Sequence, residues 1–263
     1  MSVLVNGTDT QATGPAQVDS IVPGADLTAA VINLVAGVHR SRRYDPTAND
    51  IVLTLPAPVD GVAFLVKRVA NGGNVVKITG QSIDGIAGDY VLGLENSYIW
   101  LVASAARSTY DIISVFNPAV GQLTRSTPST SFALSTSFAK YTDWEMPGFS
   151  TPQSIVADLA NDDIDLQNVR IGAAGQAGFR VNILYSFEYD NNRTVELRVV
   201  HSVDGVIGGP IAVNGLGSGK PINLSFSGPV GVSAAGDLSV EIKSEINGGT
   251  FNVLAANFIT ENF

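Results

Sequence analysis

Cysteine is absent from the 263-residue chain. That one absence excludes disulfide staples, thiolate metal sites and cysteine nucleophiles together, so stability must come from packing, sheet hydrogen bonds and assembly. Histidine is almost absent: His39 and His201 are the whole supply, in different regions of the chain. Charge is scarce as well, at 15% of residues with a formal net charge of −9, against about 25% in an average globular protein. Basic residues cluster once, at His39-Arg40-Ser41-Arg42-Arg43, which is too short for a nucleic-acid surface, so no nucleic-acid partner is expected. No uninterrupted apolar run reaches the length of a membrane span, and "MSVLVNGTDTQATGP" lacks the basic start of a signal peptide, so no membrane partner and no secretion signal are expected.

What is present is glycine, at 27 residues, with many short Val- and Ile-rich runs. A chain this weakly charged would be poorly soluble with every face in water, so a symmetric assembly that covers part of the surface is expected. Four regions separate by composition. Residues 1–45 read as an N-terminal arm or attachment segment. Within it Leu27, Val31, Leu34, Val35 and Val38 fall at helical spacing behind Asp26 as a cap, while the β-branched content argues for extended chain. Residues 46–117 carry strand-length runs ("IVLTLPAP", "VAFLVKRV", "VVKITG", "YIWLVAS", "YDIISVF") broken by turn sequences, which predicts a small β module. Residues 118–135 are rich in Ser, Thr and Pro and read as a linker.

Residues 136–263 hold the clearest periodicity. In "FRVNILYSFEY" the positions Phe179, Val181, Ile183, Tyr185, Phe187 and Tyr189 are apolar, alternating with Arg180, Asn182, Ser186 and Glu188. "TVELRVV" repeats the pattern with Val195, Leu197 and Val199, and "DLSVEIKSEI" with Leu238, Val240, Ile242 and Ile246. Such alternation predicts antiparallel strands with one covered face, packed as a sandwich. Asp190-Asn191-Asn192 is a hairpin-turn sequence, and Ser154–Leu159 is the one later stretch with a helical pattern. The expected fold class is all-β, a small N-terminal β module followed by a C-terminal antiparallel jelly-roll sandwich.

Chemistry-bearing motifs are few. His201 continues the inward face of Val199, so it reads as packed; no Gly-x-Ser-x-Gly elbow offers it a serine. "GLGSGK", Gly215–Lys220, lacks the spacing and the Ser/Thr of a phosphate-binding loop and has Pro221 instead. Asp162, Asp163 and Asp165 offer oxygen ligands without the spacing of a calcium loop, leaving a solvated acidic loop as the favoured reading and calcium between subunits as the alternative. Carboxylate pairs for glycoside hydrolysis would come from Asp84, Asp89, Glu95, Asp143 and Glu145, at separations that a sequence does not contain. Tyr98, Trp100, Tyr110, Tyr141 and Trp144 would stack on a sugar or a partner if exposed, although most are expected in the core. No catalytic residue, cofactor or metal is assigned, and an enzyme is not expected.

Thr54-Leu55-Pro56, Gly61, Lys67, Gly73-Asn74, Ile78, Gly80, Ile83-Asp84-Gly85 and Tyr110 together resemble a β module of tailed-phage virion proteins, found in head fibres, decoration proteins, tail fibres and baseplates. Gly178-Phe179, Tyr185, Gly236-Asp237-Leu238 and the terminal "FNVLAANFIT" resemble the jelly roll of the C1q and tumour-necrosis-factor type. The resemblance implies a homotrimeric capsid decoration or head-fibre protein of a virion, made in the host bacterial cytoplasm. It would attach through its N-terminal region to the major capsid protein or to a tail or baseplate protein. The alternative is a tail-fibre or adaptor subunit whose jelly roll binds host-surface glycans.

Overall fold

The computed structural model describes residues 2–5, 10–13, 26–36, 39–70, 72–172, 175–190, 192–217, 220–247 and 250–262, and among them every regular element is a β-strand. The chain divides into two compact units, Met1–Pro118 and Ala119–Phe263. The first contains β1 (Ser2–Val5), β2 (Thr10–Thr13), β3 (Val31–Asn33), β4 (Ser41–Tyr44), β5 (Ile51–Thr54), β6 (Ala63–Arg68), β7 (Val76–Thr79), β8 (Tyr90–Leu92), β9 (Tyr98–Ser104) and β10 (Thr109–Phe116). β1 and β2 form an antiparallel pair, and the rest form two four-stranded sheets ordered β10-β9-β6-β4 and β3-β5-β7-β8. Both sheets are mixed, with β3, β5 and β7 parallel in one and β4 parallel to β6 in the other. Ile51, Leu53, Phe64, Ile78, Ile99 and Leu101 form the centre of its core.

The helical spacing between Asp26 and Val38 does not make a helix in the described residues. Leu27 forms a parallel bridge to Tyr44 and Val31–Asn33 is strand β3. Asp26 pairs with Arg43 at 2.7 Å instead of capping a first turn, and β-branched side chains fit the extended chain better. Val38 and residues 14–25 lie outside the described residues. The β module therefore reaches back at least to Leu27, into the stretch expected to be an arm.

The second unit holds β11 (Val120–Arg125), β12 (Ala139–Lys140), β13 (Met146–Ser150), β14 (Ile155–Asp158), β15 (Asp163–Leu166), β16 (Ala177–Tyr189), β17 (Thr194–His201), β18 (Gly205–Asn214), β19 (Ile222–Val232), β20 (Gly236–Ser244) and β21 (Phe251–Asn262). One sheet is ordered β13-β11-β21-β16-β19, the other β14-β15-β20-β17-β18 with β12 also on β20, and every pairing is antiparallel. From β16 to β21 the chain crosses between sheets at β16–β17, β18–β19, β19–β20 and β20–β21, which is the jelly-roll winding. The alternating residues Phe179 to Tyr189, Val195 to Val199 and Leu238 to Ile242 all point into one core. Ile246 falls in a bend just after β20.

Residues 118–135 are not a linker. Val120–Arg125 pairs along its whole length with β21, Ser129 exchanges backbone hydrogen bonds with Val253, and Phe132 and Leu134 are buried. Ser and Thr dominate the composition here, but a strand needs only alternate apolar positions, and Leu123, Phe132 and Leu134 supply the anchors. Ile155–Asp158 is strand β14 where a helical pattern was expected, paired along its length with β15. Asn191, in the predicted hairpin turn, lies outside the described residues.

Candidate functional site

The turn at Ile83-Asp84-Gly85-Ile86 is closed by reciprocal backbone bonds between Ile83 and Ile86, both 3.0 Å. It docks on β10: Asp84 N donates to Tyr110 O at 2.7 Å, Gly85 N to Thr109 Oγ1 at 2.9 Å, and Ile112 N to Asp84 Oδ1 at 2.8 Å. The aspartate therefore satisfies an amide on the free edge of a sheet, which is a structural task. Asp84 and Gly85 have φ of 52° and 75°, a region that Asn tolerates and β-branched residues do not. Gly85→Val is expected to cost about 1–2 kcal/mol, whereas Asp84→Asn, which keeps the acceptor, should stay within about 0.5 kcal/mol. Urea unfolding followed by Trp100 fluorescence reads both; a specific functional loss in Asp84→Asn with unchanged stability would return this turn to the list of catalytic candidates.

Arg68 and the motif residue Asn74 also have structural work. Arg68 is 1% exposed and its Nη2 donates to Gly72 O and Asn74 O at 3.1 and 2.8 Å, while Asn74 Nδ2 donates to Pro46 O at 2.9 Å. A buried guanidinium thus ties down the Gly73-Asn74 loop, a role that composition did not signal.

Of the carboxylates considered for hydrolysis, Asp84, Asp143 and Glu145 have separate structural tasks, and Glu95 lies near Arg68. Asp143 pairs with Arg125 at 2.6 Å. Glu145 accepts from the amides of Ser126 and Thr127, each at 2.9 Å, and from the Thr127 hydroxyl at 2.7 Å. That cage of donors, the Thr127 hydroxyl first, pulls its pKa down to about 2, so the group is a fixed anion that clamps a turn. Asp84 belongs to the sheet edge just described.

His201 is fully buried, with Nδ1 2.7 Å from Asp204 Oδ2. Asp204 also accepts from the Ser233 amide at 2.8 Å and from the Ser233 hydroxyl. Ser233 and His201 are therefore joined to one carboxylate, and the other ring nitrogen, Nε2, lies against Gly236, where an added Cβ would stand 2.7 Å from it and 2.6 Å from Ser202 Oγ. A nucleophile and its base need a direct contact, and Nε2 has no hydrogen-bond partner among the described residues, Ser202 included. His39 Nδ1 accepts from Val35 N at 3.0 Å and closes a local turn. Of "GLGSGK", Ser218 and Gly219 lie outside the described residues, and Lys220 N donates to Gly217 O at 3.3 Å.

Asp162, Asp163 and Asp165 do not converge on a shared point. Lys140 Nζ lies 2.7 Å from Asp163 Oδ2, Gln167 Nε2 donates to Asp165 Oδ2 at 3.1 Å, and among the described residues no group of three or more such ligands is placed to hold a metal ion.

The two outer faces of the jelly roll differ in chemistry. On the β14-β15-β20-β17-β18 sheet, Arg198 pairs with Glu241 at 2.5 Å and Lys243 with Glu196 at 3.1 Å, both cations lying over the Phe138 ring at 4.0 and 4.8 Å. The opposite face, on β11, β21, β16 and β19, carries amides, hydroxyls and aliphatics across its middle. Gln122 Nε2 donates to Asn257 Oδ1 at 2.9 Å, Ser227 Oγ to Asn182 Oδ1 at 2.6 Å, and Leu184 is exposed at 49% beside Asn257 and Ser225. Charge on this face comes near its ends, where Arg180 stands opposite Glu261 and Glu188 opposite Asn252. Leu184 is the signal that the alternation pattern passed over, an apolar residue on the polar phase of β16; Leu254 and Ile259 on β21 share that phase.

The aromatics singled out for recognition are mostly core. Tyr110, Tyr141 and Trp144 are buried, and Tyr98 and Trp100 are half-buried. Among the described residues the exposed rings are instead Phe149 on β13 at 72% and Phe116 on β10 at 51%.

No protein-family model matches the chain, and a comparison with curated proteins finds no match. Among solved structures the chain is similar to the Eiger tumour necrosis factor of S. frugiperda, at 11% identity over 56% of this chain and 92% of that one, TM-score 0.38. It is also similar to PRD1 vertex protein P5 (12% identity, 55% of this chain, 95% of that one, TM-score 0.34). A third likeness is to a carbohydrate-binding module of Cellvibrio mixtus lichenase 5A in complex with cellotriose (18%, 55% and 98%, TM-score 0.26). At those scores the likenesses carry neither fold nor function to this chain; what stands is an all-β protein with a C-terminal jelly-roll sandwich.

Proposed function

We propose that the protein is a non-enzymatic structural subunit of a tailed-bacteriophage particle, a homotrimer that decorates the capsid or forms a head fibre and attaches through its N-terminal region. The observation that carries the self-association is the contrast between the two outer faces of the jelly roll. One is laced with ion pairs and suits water; the other has a weakly charged centre with Leu184 exposed and Ile259 beside Asn182. A face of that composition buries without stranding charge, because its amides and hydroxyls already pair with one another. The virion assignment rests on the resemblance of Thr54-Leu55-Pro56 through Tyr110 to phage β modules.

Light scattering at micromolar concentration is expected to return three times the mass of the chain, and Leu184→Lys with Ile259→Lys is expected to return one, with the circular dichroism spectrum unchanged. A monomeric wild-type protein at that concentration refutes the trimer. Exposed Phe149 favours a second reading, in which the jelly roll of a tail-fibre or adaptor subunit stacks on host-surface glycans. Binding to a glycan array that disappears in Phe149→Ala would support it.

A further inference from the structure

Strand β15 has an aspartate facing an aspartate on each of its two sides. Asp158 stands opposite Asp163 across β14–β15, and Asp165 opposite Asp237 across β15–β20. Like charges placed directly opposite weaken a strand pairing. Ile164 and Leu166 of the same strand point into the core, so Asp163 and Asp165 point to the other face of the sheet, where Asp163 is nevertheless buried and Asp165 half-buried. Asp162 in the β14–β15 turn adds a further carboxylate, with Asp143 beyond it.

The neutralising groups around this set are already engaged. Lys140, from β12, is bound to Asp163 Oδ2 at 2.7 Å and to the Asn161 carbonyl. Asp158 accepts from the Ala160 amide at 2.9 Å and the Asn161 side chain at 2.8 Å. On the β17 side of Asp237, His201 is paired with Asp204 behind Gly236, and farther along β20 Glu241 and Lys243 are paired with Arg198 and Glu196. Among the described residues Asp165 accepts from Gln167, Ser202 borders Asp237 across β17–β20, and Lys140 acts on Asp237 less strongly than Asp165 does.

We infer that Asp165 and Asp237 form a proton-operated clasp: sharing a proton they hold β15 to β20, and with both ionised their repulsion loosens the β14–β15 hairpin from the sandwich. The hydrogen bond from one carboxyl to the other, with partial burial second, pushes Asp237 up to about 6, and burial also raises Asp162 and Asp163. A carboxyl that keeps its proton to a higher pH in the folded chain than in the unfolded one stabilises the fold fully below its ordinary value of 3.8. That contribution is lost as pH rises through about 6. The segment it controls is packed on β11: a Cβ at Gly121 would stand 2.6 Å from Ile155 Cγ2 and 2.8 Å from Ile164 Cγ2. Opening the hairpin therefore uncovers Gly121 and the two isoleucines. The clasp lies within one chain and does not depend on the trimer.

Hydrogen exchange of the full-length protein at pH 5 and pH 7.5, corrected for intrinsic rates, tests this. Protection of the β14 and β15 amides is expected to fall by about tenfold between the two, the equivalent of one pKa unit of coupling, while β16 and β21 keep theirs. Asp237→Asn and, independently, Asp165→Asn should each keep the hairpin protected at pH 7.5, and either variant suffices if the other fails to fold. Equal hairpin protection at both pH values, a loss spread evenly over the sandwich, or the same loss in the Asn variants would overturn the clasp.

Discussion

Tyr185→Ala is expected to lower the unfolding free energy of the Ala119–Phe263 unit by about 3–5 kcal/mol, the range for truncating a large buried aromatic. Tyr185 is fully enclosed at the meeting point of the core rings. Its centroid is 5.2 Å from Tyr141 at 90° and 5.9 Å from Trp144, and Trp144 in turn stacks on Phe258 at 6.1 Å. Removing it takes the packing partner from two other aromatics, so the site has little means of collapsing onto the space. Its hydroxyl is buried without a hydrogen-bond partner among the described residues, and that burial raises its pKa well above the usual tyrosine value. Tyr185→Phe should therefore be neutral or stabilising by up to about 1 kcal/mol, since it removes an unpaired polar atom and keeps the ring. Urea unfolding followed by Trp144 fluorescence separates the outcomes. A phenylalanine variant as unstable as the alanine one would mean that the hydroxyl, not the ring, holds this core together.

In the first unit the largest loss is expected at Gly80. Its φ is +92°, and a Cβ there would lie 2.9 Å from Thr54 Cγ2 and 3.2 Å from Leu55 O. Gly80→Ala adds a backbone penalty to a steric one, together about 3 kcal/mol. Gly73, from the same motif, has open space around it and no left-handed φ, so Gly73→Ala should change stability by less than about 1 kcal/mol. Trp100 reports on this unit and Trp144 on the other, and these are the only two tryptophans in the chain. Unfolding curves that place the two variants together would show that the motif glycines are not distinguished by their geometry.

Much of the jelly roll was legible because its strands are long and one face of each is buried. Phe179 to Tyr189 alternates over the whole of β16 and its six inward residues are all in the core, whereas Ile246, named from the pattern of β20, lies beyond the strand. The misreadings came where the signal was short or of mixed type. Leu27 to Val38 satisfies helical spacing by chance of composition, and its short β-strand is stabilised by pairing with β5, which a local window does not contain. Residues 118–135 look like a linker because Ser and Thr outnumber the three apolar residues that anchor them. The aromatics Tyr110, Tyr141 and Trp144 carry no mark in the sequence that separates a core ring from an exposed one; the exposed Phe149 sits in "MPGFS", a stretch with no alternation at all.

By itself the sequence determined the all-β class, the inward phase of the long strands, the turn at Asp84-Gly85 and the lack of any cysteine chemistry. These are local properties, set by side-chain period and backbone preference within a few residues. The tertiary structure decided which strands are neighbours. Asp165 and Asp237 are 72 residues apart in the chain and directly opposite in the sheet, and His201 meets Asp204 while its other nitrogen, beside Gly236 and Ser202, has no hydrogen-bond partner among the described residues. Charge repulsion, a missing nucleophile contact and a weakly charged outer face all depend on distances between residues remote in sequence. Only the register of the folded sheets sets those distances.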